Sequence, residues 1–254
     1  MLTVTRHGRE LKFDEEGCLE TPYVYRPLTT GNVYEEPFLE YIRSLGVTGD
    51  YLDVGAHLGT HTVWFATMCP SAHVHAFEPV GRYGDLVERN IAANGLQERV
   101  TLHRTGVGEV AGRASNYLSP EHQVGFVEGT GEGVVEEFAV VRLDDAVRHR
   151  VGLIKLDVEG MEASALKGAS RILSKDRPVV FAEAHSDQAA KELARLLARH
   201  GYKPTGRVFN ASPTYEYVAP RRVGLERLRP AFLLLPAGVR RRIGALRRRL
   251  RSAC

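Results

Sequence analysis

The sequence predicts an α/β fold: a doubly wound, mainly parallel sheet, with a small N-terminal β/helix extension and a basic C-terminal helix. Three observations predict it. After residue 45, strand-like runs alternate with helix-period runs, the pattern of helices on both faces of a parallel sheet. "GLIKLDVEG" is almost continuously apolar before its acids, as a strand covered on both faces must be. "YLDVGAHLGTHTVWFA" (Tyr51 to Ala66) reads as strand, glycine turn and helix start, with Asp53 near the strand tip.

Residues 2–14 alternate around Gly8 and predict a hairpin or two short strands. "VYEEPFLEYIRSL" predicts a helix with Phe38, Tyr41, Ile42 and Leu45 on one side. "YLDVGA" is a strand, and Thr60 to Met68 a helix stopped by Pro70. "HVHAFEP" is a strand; "RYGDLVERNIAANGL" is a helix closed by Asn94-Gly95; "VTLHRTGV" is a strand. Residues 108–139 carry six glycines and few large apolar side chains, so loops or a short hairpin are expected there. "FAVVRL" and "GLIKLDVEG" follow as strands, and "MEASALKGASRIL" as one helix with Met161, Ala165, Leu166, Ala169, Ile172 and Leu173 inward. "PVVFAEAH" is a strand. "SDQAAKELARLLARHG" is a helix with Ser186 as N-cap and Gly201 at its end. "GRVFNAS" and "TYEYVAP" are the last strands. The expected division is 1–45 (hairpin and helix, part of the catalytic domain), 46–220 (core) and 221–254 (tail).

Of 254 residues, 43% are hydrophobic and 26% charged, which suits a packed core. No signal-peptide-like run opens the sequence and no apolar run is long enough to span a bilayer, so a cytoplasmic protein is expected. Three scattered cysteines fit a reducing compartment better than a disulfide framework. The net charge of +3 hides an asymmetry: residues 221–254 hold 11 arginines, no lysine and one acid, so the body is acidic. In the tail, Val239, Ile243, Leu246 and Leu250 form one helical stripe among arginines. Such a helix suits peripheral contact at the inner face of a membrane. Packing on a partner protomer, as in a homodimer, is the competing reading, and nucleic acid is disfavoured because no aromatic platform stands beside the run.

In doubly wound sheets ligands bind outside the carboxyl ends of the strands. Those ends carry Asp53, Gly55 and Gly59; Glu78 and Pro79; Thr105 and Gly106; Asp157 and Glu159; Glu183 and His185. A dinucleotide turn wants G-x-G-x-x-G. This chain has D-x-G-x-x-x-G, one glycine short, with a charge that would repel a pyrophosphate. Asp53 suits a cationic ammonium and sulfonium better, and Glu78 can accept both hydroxyls of a ribose. Together they suggest S-adenosylmethionine (SAM).

"DVGAHLGT", "AFEP", "RLDDAV" and "LIKLDVEGMEASALKGA" resemble the FkbM family of SAM-dependent methyltransferases, from about Val33 to His185. The resemblance implies a class I (Rossmann-like) methyltransferase fold and mostly O-methylation of hydroxyls on natural products, sugars or glycans. It implies that Asp53, Gly55, Ala56, His57, Gly59 and Thr60, with Thr62 on the following helix, hold the methionine part of SAM. Glu78 and Pro79 would serve the ribose, Thr105 and Gly106 the adenine, and Asp157 would face the reacting centre. The family usually has Asn where this chain has His57; a neutral imidazole offers one donor rather than two.

An alcohol acceptor calls for a positioned base. Asp157, Glu159 and His185 are the candidates, beside catalysis by proximity alone. Asp157 and Glu159 share a side if strand geometry persists. Asp144-Asp145 are expected to cap a turn or helix start, and Lys155 to pair with a nearby acid. No metal is expected, although His57/His61 and Asp157/Glu159/His185 are spacings a cation can use. The competing functions are an N- or nucleic acid methyltransferase using the basic tail, and a SAM-binding, membrane-associated protein without turnover.

Overall fold

The structure, a computed structural model, describes residues 1–19, 21–118, 124–126 and 134–220. The tail expected as a basic helix lies outside the described residues.

Strands β1 (Leu2–Arg6) and β2 (Arg9–Phe13) form the expected antiparallel hairpin, turning at His7 and Gly8, both with positive φ. Three helices follow rather than one: α1 (Glu15–Leu19), α2 (Pro22–Thr29) and α3 (Glu36–Ser44). The first two escape sequence reading because Gly17 and Pro27 interrupt the helical pattern, while Pro22 at the start of α2 costs no hydrogen bond.

Then come β3 (Gly49–Val54), α4 (Thr60–Met68), β4 (Ser71–Phe77), α5 (Gly81–Ala93) and β5 (Val100–His103). "VTLHRTGV" is not one strand. It breaks at Arg104-Thr105, and β6 (Gly106–Val107) joins a second sheet with β7 (Gly112–Leu118), β8 (Val124–Phe126) and β9 (Val134–Val141). The described residues of the glycine-rich stretch are therefore mostly strand, and "FAVVRL" enters this small sheet, ordered β6-β9-β7-β8.

After α6 (Leu143–Ala146) comes β10 (Val151–Leu156). The single helix expected next is two, α7 (Glu162–Lys167) and α8 (Ser170–Lys175). They part at Gly168, where a Cβ would lie 2.1 Å from the Gly108 carbonyl oxygen. Asp144 does cap a helix, though not its own: its carboxylate accepts from the backbone N–H of Arg171 (2.7 Å) and Ile172 (3.0 Å) in α8. β11 (Val179–Glu183), α9 (Asp187–Ala198), β12 (Lys203–Phe209) and β13 (Thr214–Val218) complete the fold. The Ser186 hydroxyl accepts from Ala189 N–H at 3.1 Å, the expected cap of α9.

The main sheet has seven strands in the order β12-β13-β11-β10-β3-β4-β5. β11, β10, β3, β4 and β5 run parallel; β13 is antiparallel to both of its neighbours. The chain winds outward from β3 first toward β5 and later, through β10, toward β11. The gap between the β3 and β10 tips is the switch point.

Two apolar cores cover the two faces. Tyr51, Leu153 and Phe181 face Trp64 and Phe65 of α4 and the N-terminal residues Phe13 and Phe38. Leu52, Ile154, Val180 and Phe77 face Leu166, Ile172 and Leu197. Strand side chains alternate. Asp53 therefore shares the face of Tyr51, Lys155 that of Leu153, and Glu183 that of Phe181. Period two alone brings them to one face, under the N-terminal helices.

The opposite face carries a histidine cluster. His75 Nδ1 lies 3.1 Å from His103 Nε2, and His75 Nε2 3.4 Å from Asp50 Oδ2. His149 Nδ1 lies 3.6 Å from the same carboxylate, and the His73 ring, tilted, sits 5.0 Å from that of His75. Burial, with His75 and His73 beside it, pushes His103 from 6.5 down to about 4, and burial together with His73 lowers His75. Between pH 6.5 and 4 the unfolded chain binds protons that the folded chain refuses, so stability falls as pH drops through that window. Urea midpoints are expected to decline from neutral pH toward pH 4, and to decline less in His103→Gln; an equal decline in both would remove the cluster from the account.

Candidate active site

The glycine turn is dictated by a close approach. Gly55 has φ +81°, and a Cβ there would stand 1.8 Å from the Asp157 carbonyl oxygen, so the β3 and β10 tips touch backbone to backbone. Gly55 and Ala56 donate to the Phe77 carbonyl at 3.0 Å, which docks the turn on β4. His57 adopts φ +51° and Gly59 +76°, and α4 begins at Thr60. His57 thus belongs to the turn and His61 to the helix. Their rings pack apart: His57 lies edge-on to Tyr83 (4.3 Å), and His61 stacks on Tyr34 (6.0 Å). Burial pushes His57 down to about 4 and His61 to about 3, so both are neutral.

Beneath the turn lies an ionic trio in which Lys155 and Asp53 are buried and Asp157 is partly open. The Lys155 ammonium donates to the Gly55 carbonyl at 2.9 Å and lies 3.5 Å from Asp53 Oδ1 and 3.3 Å from Asp157 Oδ2. Register pairs Lys155 directly with Asp53. The Thr62 hydroxyl donates to Asp53 Oδ2 at 2.6 Å. Burial opposes the charge on Lys155, but Asp157, Asp53 and Glu35 together raise its pKa. Asp53 is wholly buried, which raises its carboxyl against the pull of Lys155. Asp157 is held low: burial works against its charge, but Lys155 and a hydrogen bond from Glu183 outweigh it. Its side chain keeps 40% of its surface open.

Glu78 follows β4 and turns back toward the loop. Its carboxylate accepts from His57 N–H at 2.8 Å and Val80 N–H at 2.9 Å, and burial raises its pKa to about 7. A carboxylate has about four lone-pair sites, so two stay free for a diol. Pro79, Thr105 and Gly106 line a narrow cleft with Phe77, Phe138 and Met161. The Thr105 hydroxyl is buried there without a hydrogen-bond partner. At about 40 Å³ the cleft holds little more than a water; a flat base would part its walls. A larger open groove, about 780 Å³, lies along α2 and α3 and contains none of the strand-tip acids.

The remaining candidates also meet. His185 Nε2 lies 3.5 Å from Glu159 Oε2 and 3.3 Å from Glu183 Oε2. Glu159 leaves the strand with φ +51°, so the expected strand continuation past Asp157 stops there. Burial raises Glu159, and raises Glu183 strongly together with its hydrogen bond to Asp157.

Sequence reasoning passed over the opposite wall. Tyr23, Tyr34 and Glu35 come from the N-terminal segment: Tyr23 stacks on His57 (6.3 Å) and lies against Tyr34 (5.3 Å). The Tyr23 and Tyr34 rings are tilted at 57° rather than stacked. Glu35 adopts φ +55°, accepts from Asn210 Nδ2 at 2.8 Å and lies 3.4 Å from His61 Nε2. Burial pushes it to about 7. No motif marks these residues; Glu35-Glu36-Pro37 reads as an ordinary helix start. Among the described residues no group of three or more His, Cys, Asp or Glu side chains is arranged to hold a metal ion.

The strand order, the glycine turn at the switch point and the acid after the next strand define a class I methyltransferase-like α/β protein. Residues 53–204 match the family described as Methyltransferase FkbM domain, and the chain belongs to that family of methyltransferases. It is 25% identical over 185 residues to Methyltransferase sdnD of Sordaria araneosa, covering 59% of this chain and 69% of that protein. It is 27% identical over 233 residues to the AMB antimetabolite synthetase AmbE of Pseudomonas aeruginosa, covering 72% of this chain but only 11% of that protein. Methyltransferase FkbM from Methylobacillus flagellatus KT shares the fold, with a TM-score of 0.52, 23% identity, and coverage of 66% of this chain and 43% of that one.

Removing Lys155 leaves two acids facing each other without a counter-ion. Lys155→Met is expected to lower stability by about 3–5 kcal/mol, and Asp53→Asn in the same chain to recover part of it. Urea unfolding measures both; an unchanged midpoint in Lys155→Met would show that the trio contributes nothing net.

Proposed function

We propose that this methyltransferase uses SAM to methylate a hydroxyl of a sugar, glycan or other natural product. The observation that carries the reading is the set of acids around the switch point. Asp53 and Asp157 are half-neutralised by Lys155, while Glu35 and Glu78 stand nearby with no lysine or arginine within ion-pair distance among the described residues. A site with surplus acid suits a cofactor whose ammonium and sulfonium are positive. The residues present also fit its other parts. Glu78 has lone pairs left for two ribose hydroxyls, and the unpartnered Thr105 hydroxyl and apolar Phe77, Phe138 and Met161 suit a purine. When bound, SAM supplies an activated methyl group.

The chain's own residues then have the acceptor to orient and its proton to remove. Asp157, 40% exposed, held ionised and lying against Gly55 of the turn, is the candidate base. Tyr23 and Tyr34 offer flat apolar faces on which a sugar ring or a similar natural product can lie. The name of one relative, an antimetabolite synthetase, supports a small-molecule product. An amine acceptor is the second reading, favoured by the same surplus of acid. Among the described residues no helix is long and apolar enough to cross a membrane; peripheral contact through the arginine tail rests on its sequence alone.

Calorimetric titration with SAM tests the cofactor. Glu78→Gln is expected to weaken binding by about tenfold or more, the worth of hydrogen bonds to a charged group. Because the ionised form accepts the diol, affinity should rise as pH increases through about 7 in the wild type and stay flatter in the variant. No SAM binding would overturn the reading. A panel of sugar, polyketide-like and amine acceptors, scored for S-adenosylhomocysteine, then separates O- from N-methylation.

A further inference from the structure

The surroundings of Glu183, at the tip of β11, are those of a proton carrier. Only 5% of its surface is exposed, on a strand whose other side chains are apolar. Among the described residues no lysine or arginine lies within ion-pair distance of it. The groups around it are Asp157, Glu159, His185 and the Ser212 hydroxyl. Two carboxylates cannot stand in hydrogen-bonding contact unless one keeps its proton. Lys155, 3.3 Å from Asp157, decides which: Asp157 is the ion and Glu183 the acid that donates to it. The outward oxygen, Glu183 Oε2, is buried without a hydrogen-bond partner and sits 3.3 Å from His185 Nε2. The His185 side chain is 47% exposed. The three groups thus make a line from the cofactor turn to solvent: ion, buried acid, exposed base.

We propose that Asp157, Glu183 and His185 form a proton exit for the acceptor hydroxyl, with Glu183 as the member that holds and passes the proton. The proposal rests on the methyl-transfer reading above. The acceptor oxygen forms its bond to the methyl carbon as the methyl–sulfur bond breaks, its electron pair remaining on sulfur. The hydroxyl proton moves to Asp157. Glu183, now beside a neutral acid, gives its own proton to His185, which releases it to water. Asp157 then returns its proton to Glu183, restoring the starting pair. Atoms and charge balance without a co-reactant. The line is needed because a bound cofactor and acceptor would cover the open face of Asp157. Glu183 acts through Asp157 and is a positioning and proton-holding residue.

Infrared difference spectra of the whole protein at neutral pH, wild type against Glu183→Gln, read the proton directly. The expected result is a carboxylic-acid carbonyl band in the wild type that shifts in D2O and is lost in the variant, whose amide still donates to Asp157. Glu35 and Glu78, also raised by burial, contribute alike to both spectra and cancel in the difference; no carboxylic-acid band in the difference overturns the proposal. SAM titration shows whether the variant is folded, and Glu183→Asp replaces it if it is not. With any acceptor the panel supplies, Glu183→Gln is expected to lower kcat by about 100-fold or more with little change in KM for SAM, and Glu183→Asp to recover part. Retained kcat in Glu183→Gln overturns the exit and makes Glu183 a structural donor. Failure of every acceptor sinks the methyl-transfer reading and the exit with it, while the infrared band still separates a shared proton from none.

Discussion

A single buried ammonium organises this protein. Lys155 binds the Gly55 carbonyl, Asp53 and Asp157 at once, and so ties the tips of β3 and β10 together at the point where the winding of the sheet reverses. Ion clusters of this kind are poor stabilisers, because desolvation offsets most of the attraction. What the trio provides is position. The Gly55 backbone lies against the Asp157 carbonyl because neither strand tip can move without stranding a charge. Every other part of the site is arranged on that junction.

Around the junction the protein has more buried acid than base. Burial raises Glu35, Glu78 and Glu183, so part of the negative charge is stored as neutral carboxyl groups. That lowers the electrostatic cost of packing so many acids together. A site held this way meets its ligand with fixed dipoles and little reorganisation.

The two walls of the cleft come from distant parts of the chain. The N-terminal helices bring Tyr23, Tyr34 and Glu35 over the face that β3, β10 and β11 share, and Asn210 from the far end of the sheet fastens Glu35. Both Glu35 and Asn210 take left-handed backbone conformations, φ +55° and +64°. Asn takes this region readily; for Glu35 it is costly unless surrounding structure fixes it, and here the Asn210 amide and the His61 ring both hold its carboxylate.

Local rules were enough for much of this. Alternation, glycine turns and caps marked β3, α4, β4, α5, β10, β11 and α9, because those elements are strongly periodic and bounded by Gly, Pro or Ser. The same rules placed Asp53, Glu78, Asp157, Glu159 and His185 at strand ends. They failed where a contact between remote backbones sets the geometry: α7 and α8 part at Gly168 because Gly108 crosses there, and the expected short hairpin and the "FAVVRL" strand join β6 in a second sheet rather than the main one. Sequence by itself determined the sheet, the family signature and the side of each strand on which an acid falls, since period two is a local property. Only the tertiary structure decided which acids meet: that Lys155 neutralises Asp157 rather than Glu183, that Glu183 is left with the proton, and that Glu35 joins them, because ionisation depends on distances the chain order does not contain.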